Sequence, residues 1–362
     1  MQKRPFYILV MLLTIASLVG CTVSTPTAAP TKAPDVAAPT TAAAVAPTTA
    51  PAPSGAKSDK VAVSLGWQEN ESGQRFTQGY EAAFKELGWD YTISNANYDP
   101  KLQSEQIDAF IKLNPKALFV TCSDPVGITA AVNRAIDAGI SVFTSDCFLA
   151  GAKAITMNAS NNFGMGYYTM EYIAKKIGGK GTVGMVGLPN NETWNLREIG
   201  ARTVLKNYPD IKVVYWPYDS TGAVTPRQGI EQMMTANPKG TLQAIWSAWD
   251  GAAMEGALAA KEAGREDEII FTGIDGGERA FEQIQTGGAF KLSMAQSIYW
   301  MSYMDAMWAK EYLDGGKMIP RFVVAPVYAV DKAVLDAVPS GVKASDYDIP
   351  GMPLKLNWTP VL

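Results

Sequence analysis

The chain has 362 residues, 47% of them hydrophobic, and 31 basic and 35 acidic side chains give it a net charge of −4. This length exceeds what one core usually holds, so we expect two lobes. A weakly acidic chain without a long basic run lacks the electrostatic footprint for nucleic acid. The sequence contains no histidine, which removes the commonest general base and metal ligand and disfavours most hydrolase mechanisms. We predict no catalysis, no metal centre and no cofactor.

The first 20 residues are predicted to be a signal peptide. Lys3 and Arg4 precede an apolar run over 6–16 that is shorter than the roughly 20 residues of a membrane helix. The stretch Leu-Val-Gly-Cys at 18–21 resembles the bacterial lipobox, in which the cysteine is lipidated and becomes the first mature residue. Cys21 is thus the predicted lipid anchor, and an ordinary secretory signal is the alternative. Either reading predicts an exported protein at the cell envelope, in the periplasm or at the cell surface.

Residues 21–57 are rich in Ala, Thr, Pro and Ser. This composition cannot bury enough apolar surface to offset the entropy of ordering, so we predict a disordered tether. Its prolines favour extended segments of about 3 Å per residue, which would hold a globular body away from a membrane.

Two cysteines remain in the body of the chain. Cys122 and Cys147 each follow an apolar, strand-like run. Ends of neighbouring parallel strands can lie within disulfide distance, and an exported protein permits the bond. A disulfide and a pair of buried thiols both remain open at this stage.

From residue 60 the chain alternates short apolar runs with longer amphipathic stretches, first up to about 160 and then again. This βαβ pattern predicts two parallel sheets covered by helices. The expected strands are 61–67, 91–96, 117–121, 140–145, 154–159, 182–187, 211–216, 242–249, 268–274 and 290–296. The expected helices are 76–87, 101–113, 126–138, 163–178, 194–207, 226–236, 252–264 and 278–287.

Polar and aromatic side chains stand where several of these strands end. Open α/β sheets bind ligands at the carboxyl ends of their strands, so we expect a cleft there between the lobes. The residues at these ends are Trp67, Asp146, Asp250, Asp275 and Gln296.

Asp250 and Asp275 precede helices, so each has an alternative role as an N-cap. Both are followed by glycine, which lets a ligand approach the backbone closely. A carboxylate accepts hydrogen bonds from adjacent hydroxyls while an indole covers an apolar C–H face, and Trp249 directly precedes Asp250. This pairing favours a sugar ligand.

Trp194 and Arg197 stand at the start of an expected helix. Arg197 is either a surface residue or a cleft guanidinium that donates to ring and hydroxyl oxygens in a fixed fork. Trp300 and Trp308, on a helix rich in methionine, are interpreted as packing residues.

Residues 60–330 resemble the ribose/galactose type of bacterial periplasmic sugar-binding protein, the solute receptor of ABC transporters. The segments that carry the resemblance are YEAAFKELGWDY, NASNNFGMGYYTMEYIAKKIGGKG, LREIGA, FTGIDGG and TGGAFKLSMAQ. It implies two Rossmann-like lobes joined by three crossings near 160, 296 and 325. The N-terminal lobe would comprise 58–160 plus 297–325, and the C-terminal lobe 161–296 plus 326–362.

The resemblance also implies a binding site for a neutral monosaccharide, which tryptophan walls favour as a pyranose. The lobes would close around it, and a monomeric receptor would deliver it to permease subunits; a chemotaxis or signalling sensor is the alternative. A glycoside hydrolase would need two carboxylates about 5–9.5 Å apart, which is a less favoured reading. With Trp194 and Trp249, the implied site comprises Trp67, Glu69, Ser72, Asp146, Asn191, Thr193, Arg197, Asp250, Asp275 and Gln296.

The sequence departs from the family pattern at three places. Cys147 follows Asp146 where ribose receptors have arginine and galactose receptors lysine. The usual aromatic of the second-lobe loop has no clear counterpart, since Tyr218 is offset and Thr221 is the candidate for its place. The last stretch, 330–362, runs beyond the ribose receptor's end and receives no functional prediction.

Overall fold

The computed structural model describes residues 58–189, 191–219 and 222–362. The predicted signal peptide, the Cys21 anchor and the tether lie outside the described residues. Within the described ranges, none of the helices combines the length and apolar character needed to cross a membrane.

Short strands and longer helices alternate along the described chain. The strands are β1 Ser58–Leu65, β2 Tyr91–Asn95, β3 Pro115–Val120, β4 Ser141–Ser145, β5 Thr156–Ser160, β6 Gly181–Gly187, β7 Ile211–Pro217, β8 Ala244–Ser247, β9 Ile270–Asp275, β10 Phe290–Gln296, β11 Phe322–Ala325 and β12 Val327–Asp331. The helices are α1 Glu71–Leu87, α2 Pro100–Leu113, α3 Pro125–Asp137, α4 Asn162–Lys176, α5 Glu192–Leu205, α6 Pro226–Ala236, α7 Asp250–Glu262, α8 Glu278–Gln285, α9 Ile298–Gly315, α10 Lys332–Asp336 and α11 Met352–Leu356.

The strands form two six-stranded sheets, one in each lobe. The order in the first is β11-β5-β4-β3-β1-β2, and in the second β12-β10-β9-β8-β6-β7. All pairs are parallel except β12, which runs antiparallel to β10. The predicted fold class, two parallel α/β lobes, is confirmed.

The chain passes between the lobes three times. It leaves the first sheet after β5 and enters the second lobe at α4, and it returns between β10 and α9, which packs against α1. The third crossing separates β11, in the first sheet, from β12, in the second. The predicted three-crossing hinge is therefore present.

Each lobe has its own core. Aromatic side chains on α1, β3 and β4 fill the first lobe, including Phe76, Phe119 and Phe143. Trp246 and Phe271 are fully buried in the second. Because both faces of each sheet are covered by helices, the strands read as almost continuous apolar runs rather than as alternating ones.

Cys122 and Cys147 follow β3 and β4 directly, and the structure has a disulfide between them with Cα atoms 5.2 Å apart. The parallel pairing of β3 with β4, which sets Val120 opposite Thr144, brings the two strand ends together. The alternative of two buried thiols is not the arrangement seen.

The stretch after β12 belongs mainly to the second lobe. Tyr347, Leu356 and Trp358 are buried in the same core cluster as Phe271 and Phe281. The segment without a sequence-based function is thus an integral part of this core.

Candidate functional site

A cavity of about 710 Å³ lies between the carboxyl ends of the two sheets. Most of the predicted site residues line it, and they come from both lobes and from the hinge. They are Trp67, Ser72, Asp146, Asn191, Thr193, Trp194, Arg197, Trp249, Asp275 and Gln296.

Glu69 and Asp250 line an adjoining cavity of about 670 Å³ instead. Glu69 is exposed and accepts a hydrogen bond from the Asn95 amide at 2.9 Å. Asp250 is buried, and its Oδ2 accepts from the Ser293 hydroxyl at 2.7 Å and from the Gly276 amide at 2.8 Å. Asp250 thus supports the turn after β9, one layer behind the cavity wall.

The carboxylate of Asp275 joins two other residues of the cavity. Its Oδ1 accepts from Arg197 Nη1 at 3.2 Å and from Gln296 Nε2 at 2.9 Å. Burial raises the pKa of this carboxyl, and Arg197 opposes the rise. The capping alternative is not observed: Trp249 and Gly277 occupy the N-cap positions of α7 and α8, without a side-chain cap in either case.

Arg197 is a cleft residue and not a surface one, being 1% exposed. Its Nε donates to the Asn162 side chain and its Nη1 to the Ala248 carbonyl, both at 2.8 Å. These contacts hold the guanidinium in one orientation beside Asp275.

Asp146 brings an acid to the cavity from the first lobe. Burial raises the pKa of its carboxyl to about 6, although Arg197 acts in the opposite direction. Its Oδ1 has no hydrogen-bond partner in the protein, and the same is true of Gln296 Oε1. Buried acceptors are nearly always paired in folded proteins, so these two atoms are available to a hydroxyl-bearing ligand.

Aromatic rings form two walls of the cavity, one from each lobe. In the first lobe Trp67 stacks on Tyr98, with centroids 6.0 Å apart and planes 13° apart. In the second lobe Trp194 stacks on Trp249 at 4.4 Å, and Tyr218 contacts Trp249 at 5.2 Å. Tyr218, although offset in sequence from the family's usual aromatic, lines the cavity; Thr221 is outside the described residues.

Four first-lobe residues at the ends of β2 and β3 also line the cavity, and none of them was among the predicted site residues. Open α/β sheets bind ligands at the carboxyl ends of their strands, and this strand-end rule, applied to β2 and β3 as well, predicts them. They are Asn97, Tyr98, Ser123 and Asp124.

Backbone conformation marks the same region. Six described non-glycine residues have positive φ, and four of them line the cavity. These four are Asn97, Tyr98, Asp146 and Asp275, with φ of 50°, 64°, 48° and 144°. Such conformations cost free energy and cluster at functional sites.

The two lobes contact each other directly at this cavity and at the adjoining one. The Asn191 side chain donates to the Ser123 carbonyl at 2.9 Å, and the Glu278 amide at the start of α8 donates to Glu71 Oε1 at 2.6 Å. Gly277, with φ 131°, permits the second contact, because a Cβ there would lie 2.5 Å from Glu71 Oε1. The structure is therefore a closed form of the cleft.

Within the described ranges, no group of three or more Cys, Asp or Glu side chains is arranged to hold a metal ion.

Residues 61–317 match the family model for the periplasmic binding protein domain. The match spans most of the chain, which belongs to this family. Its members are extracytoplasmic solute receptors of transport systems, not enzymes.

Individual relatives are more distant. The chain is 22% identical over 263 residues to the D-apiose import binding protein of Actinobacillus succinogenes, covering 72% of this chain and 84% of the relative. It is 26% identical over 235 residues to the ribose import binding protein of Bacillus subtilis, covering 64% and 75%. A solute binding protein of Actinobacillus succinogenes 130z, solved with bound D-allose, superposes with a TM-score of 0.68 at 24% identity, covering 76% of this chain and 98% of that one.

Proposed function

We propose that the protein binds a neutral monosaccharide, in pyranose form, in the cavity between its lobes and delivers it to an ABC transporter permease. The observation that carries the proposal is that aromatic walls from both lobes line one cavity together with buried acceptors that have no partner in the protein. A sugar ring presents apolar C–H faces to indoles and hydroxyls to carboxylates and amides. Only a closed cleft brings both walls to the same ring.

The charges of the cavity favour an uncharged ligand. Five acids line it, two of them buried or mostly buried, against the single cation Arg197 among the described lining residues. That cation is already bonded to Asp275. A carboxylate or phosphate on the ligand would meet repulsion without a free partner. The names of the relatives, D-apiose and ribose import binding proteins, support an uncharged sugar.

In the proposed complex the aromatic walls contact the faces of the sugar ring, and polar side chains of the cavity bind its hydroxyls. Asp146, Asp275, Gln296 and Asn191 would bind hydroxyls, and Arg197 would orient Asp275. The proposal includes a monomeric receptor attached to the membrane through a lipid on Cys21, which the lipobox-like sequence supports.

A thermal-shift screen tests the function. The panel contains D-ribose, D-apiose, D-allose, further aldohexoses and the corresponding sugar acids. A sugar at about a thousand times its Kd adds about 4 kcal/mol to the unfolding free energy, which raises Tm by several degrees. We expect such a shift with a neutral sugar and none with the acids.

Mass spectrometry under native conditions must first show that the protein carries no sugar from its expression host. If no neutral sugar of the panel raises the Tm of the ligand-free protein, the proposed function is contradicted. A larger shift with an acid than with its neutral parent would contradict the charge argument.

A further inference from the structure

The segment after β12 lies beyond residue 317, where the family match ends. Its Tyr347 is fully buried in the second lobe and contacts the rings of Phe281 and Trp358. Packing alone would account for a hydrophobic residue at this place. The polar contacts of Tyr347 and of the next residue, Asp348, are not explained by packing.

Tyr347 lies directly behind the cavity wall. Its hydroxyl donates to the Gln296 carbonyl and is 3.3 Å from the Asp275 carbonyl. Gly276, with φ 82°, completes the arrangement, because a Cβ at this position would lie 2.6 Å from the Tyr347 hydroxyl. One phenol therefore fixes the main chain of two residues whose side chains face the cavity.

Asp348 connects the segment to the other lobe. Its carboxylate forms an ion pair with Arg75 on α1, and it accepts from the Tyr299 amide at 2.8 Å. The guanidinium of Arg75 also lies over the Tyr347 ring, 5.6 Å from its centroid. The Asp348 side chain has no exposed surface.

Asp348 contacts the first lobe at two places. Arg75 lies one turn beyond Glu71 on α1, and Tyr299 follows the β10–α9 crossing by three residues. A rotation of the lobes that moves either partner away from Asp348 would break a buried contact. Separating the partners would leave a buried charge uncompensated, which is strongly unfavourable.

We propose that residues 347–348 are a strap, a buried non-covalent connection between the lobes that restricts hinge rotation and positions Asp275 and Gln296. Asp348 provides the connection and Tyr347 transmits it to the cavity wall. Tyr347 is a positioning residue in this scheme and does not itself face the ligand.

Residual dipolar couplings of the ¹⁵N- and ²H-labelled full chain, without sugar, test the connection, because they report the relative orientation of the lobes. The main variant combines Arg75→Met with Asp348→Asn. It removes both charges together, which a fold tolerates far better than loss of one partner. The amide oxygen of residue 348 can still accept from the Tyr299 N–H. We expect the variant to lose the single alignment tensor that fits both lobes of the wild type.

Trp358→Phe is the matched control, since Trp358 packs in the same segment but has no contact with the first lobe among its ring partners. It should lower Tm and keep the shared tensor. If the double variant keeps the wild-type tensor, or if both variants lose it equally, the strap is refuted. No sugar enters the measurement, so its outcome is independent of the proposed function.

A second pair of variants tests the positioning role. Tyr347→Phe removes only the hydroxyl, and we expect faster hydrogen exchange at the Gly276 amide. Tyr328→Phe, in the same aromatic cluster, should leave that rate unchanged. Equal rates in Tyr347→Phe and the wild type would overturn this part.

Discussion

Asp146 and Asp275 approach the cavity from different lobes, and Arg197 influences the pKa of both. Arg197 is bonded to Asp275, whereas one oxygen of Asp146 has no protein partner. The two carboxyls therefore differ in what they can do. Asp275 is held in place as an acceptor. Asp146 is buried with one oxygen that lacks a donor, and a bound ligand would supply that donor.

Asp275→Ala should weaken sugar binding about a hundredfold. The substitution removes an acceptor in the cavity and releases Arg197 and Gln296. The loss of one or two hydrogen bonds to a charged group corresponds to about a hundredfold in Kd. Calorimetry with the sugar found in the screen measures it, with circular dichroism to verify the fold. Asp108→Ala, at an exposed acid paired with Arg134 in the first lobe, is the control. Unchanged affinity in Asp275→Ala would remove Asp275 from the site.

Asp146 should make the stability of the ligand-free protein depend on pH. Burial raises its pKa from 3.8 to about 6, so the folded state binds the proton more tightly than the unfolded state. The resulting stabilisation is complete below about pH 4 and is lost as the pH rises through 6, a change of about 3 kcal/mol. Asp146→Asn should lack this decline, which urea unfolding between pH 4 and 7 would show. Parallel curves for the variant and the wild type would contradict the raised pKa.

The strand-end rule explains why several of the residues that line the cavity could be predicted from the sequence. Asp146, Asp275 and Gln296 stand at the last position of a buried strand or one beyond it, where the sheet alone determines their place. Tyr98 and Tyr218 lie in loops, and the positive φ of Asn97 and Tyr98 is not readable from residue type. Asp250 follows the same sequence pattern as Asp275, yet the first turn of α7 directs it into the lobe. The two sheets were predictable because apolar runs identify buried strands without any knowledge of loops.

The ends of β3 and β4 depend on the bond between Cys122 and Cys147. A free-thiol count on denatured, unreduced protein should find neither of them reactive, and two reactive thiols would exclude the bond in the isolated protein.

Cys122→Ser with Cys147→Ser should lower the unfolding free energy by about 3.5 kcal/mol, the loop entropy for a separation of 25 residues. Urea unfolding measures the change. The wild type treated with a reductant is the comparison: it should match the double variant, and a reduced wild type as stable as the oxidised one would refute the prediction.

The proposed function depends on an equilibrium between open and closed forms of the molecule. A contact made only in the closed form shifts that equilibrium and therefore the apparent affinity. The Glu71 contact with the Glu278 amide is of this kind, because it joins α1 of one lobe to the start of α8 in the other.

Glu71→Ala should weaken sugar binding about tenfold, chiefly through faster dissociation, because a hydrogen bond to a charged group is lost from the closed form alone. Stopped-flow kinetics with the sugar found in the screen separates the two rates. Glu105→Ala, at an exposed first-lobe position, should leave both rates unchanged. A slower association with unchanged dissociation would contradict a role in holding the cleft closed.

The indoles of Trp194 and Trp249, stacked 4.4 Å apart and 17° from parallel, have a spectroscopic consequence. Two chromophores this close couple their electronic transitions, and in a chiral setting the coupling gives a circular dichroism couplet whose size depends on their mutual angle. A sugar that settles against this wall would alter that angle or its polarisable surroundings. The circular dichroism of this tryptophan pair should therefore report sugar binding without a label.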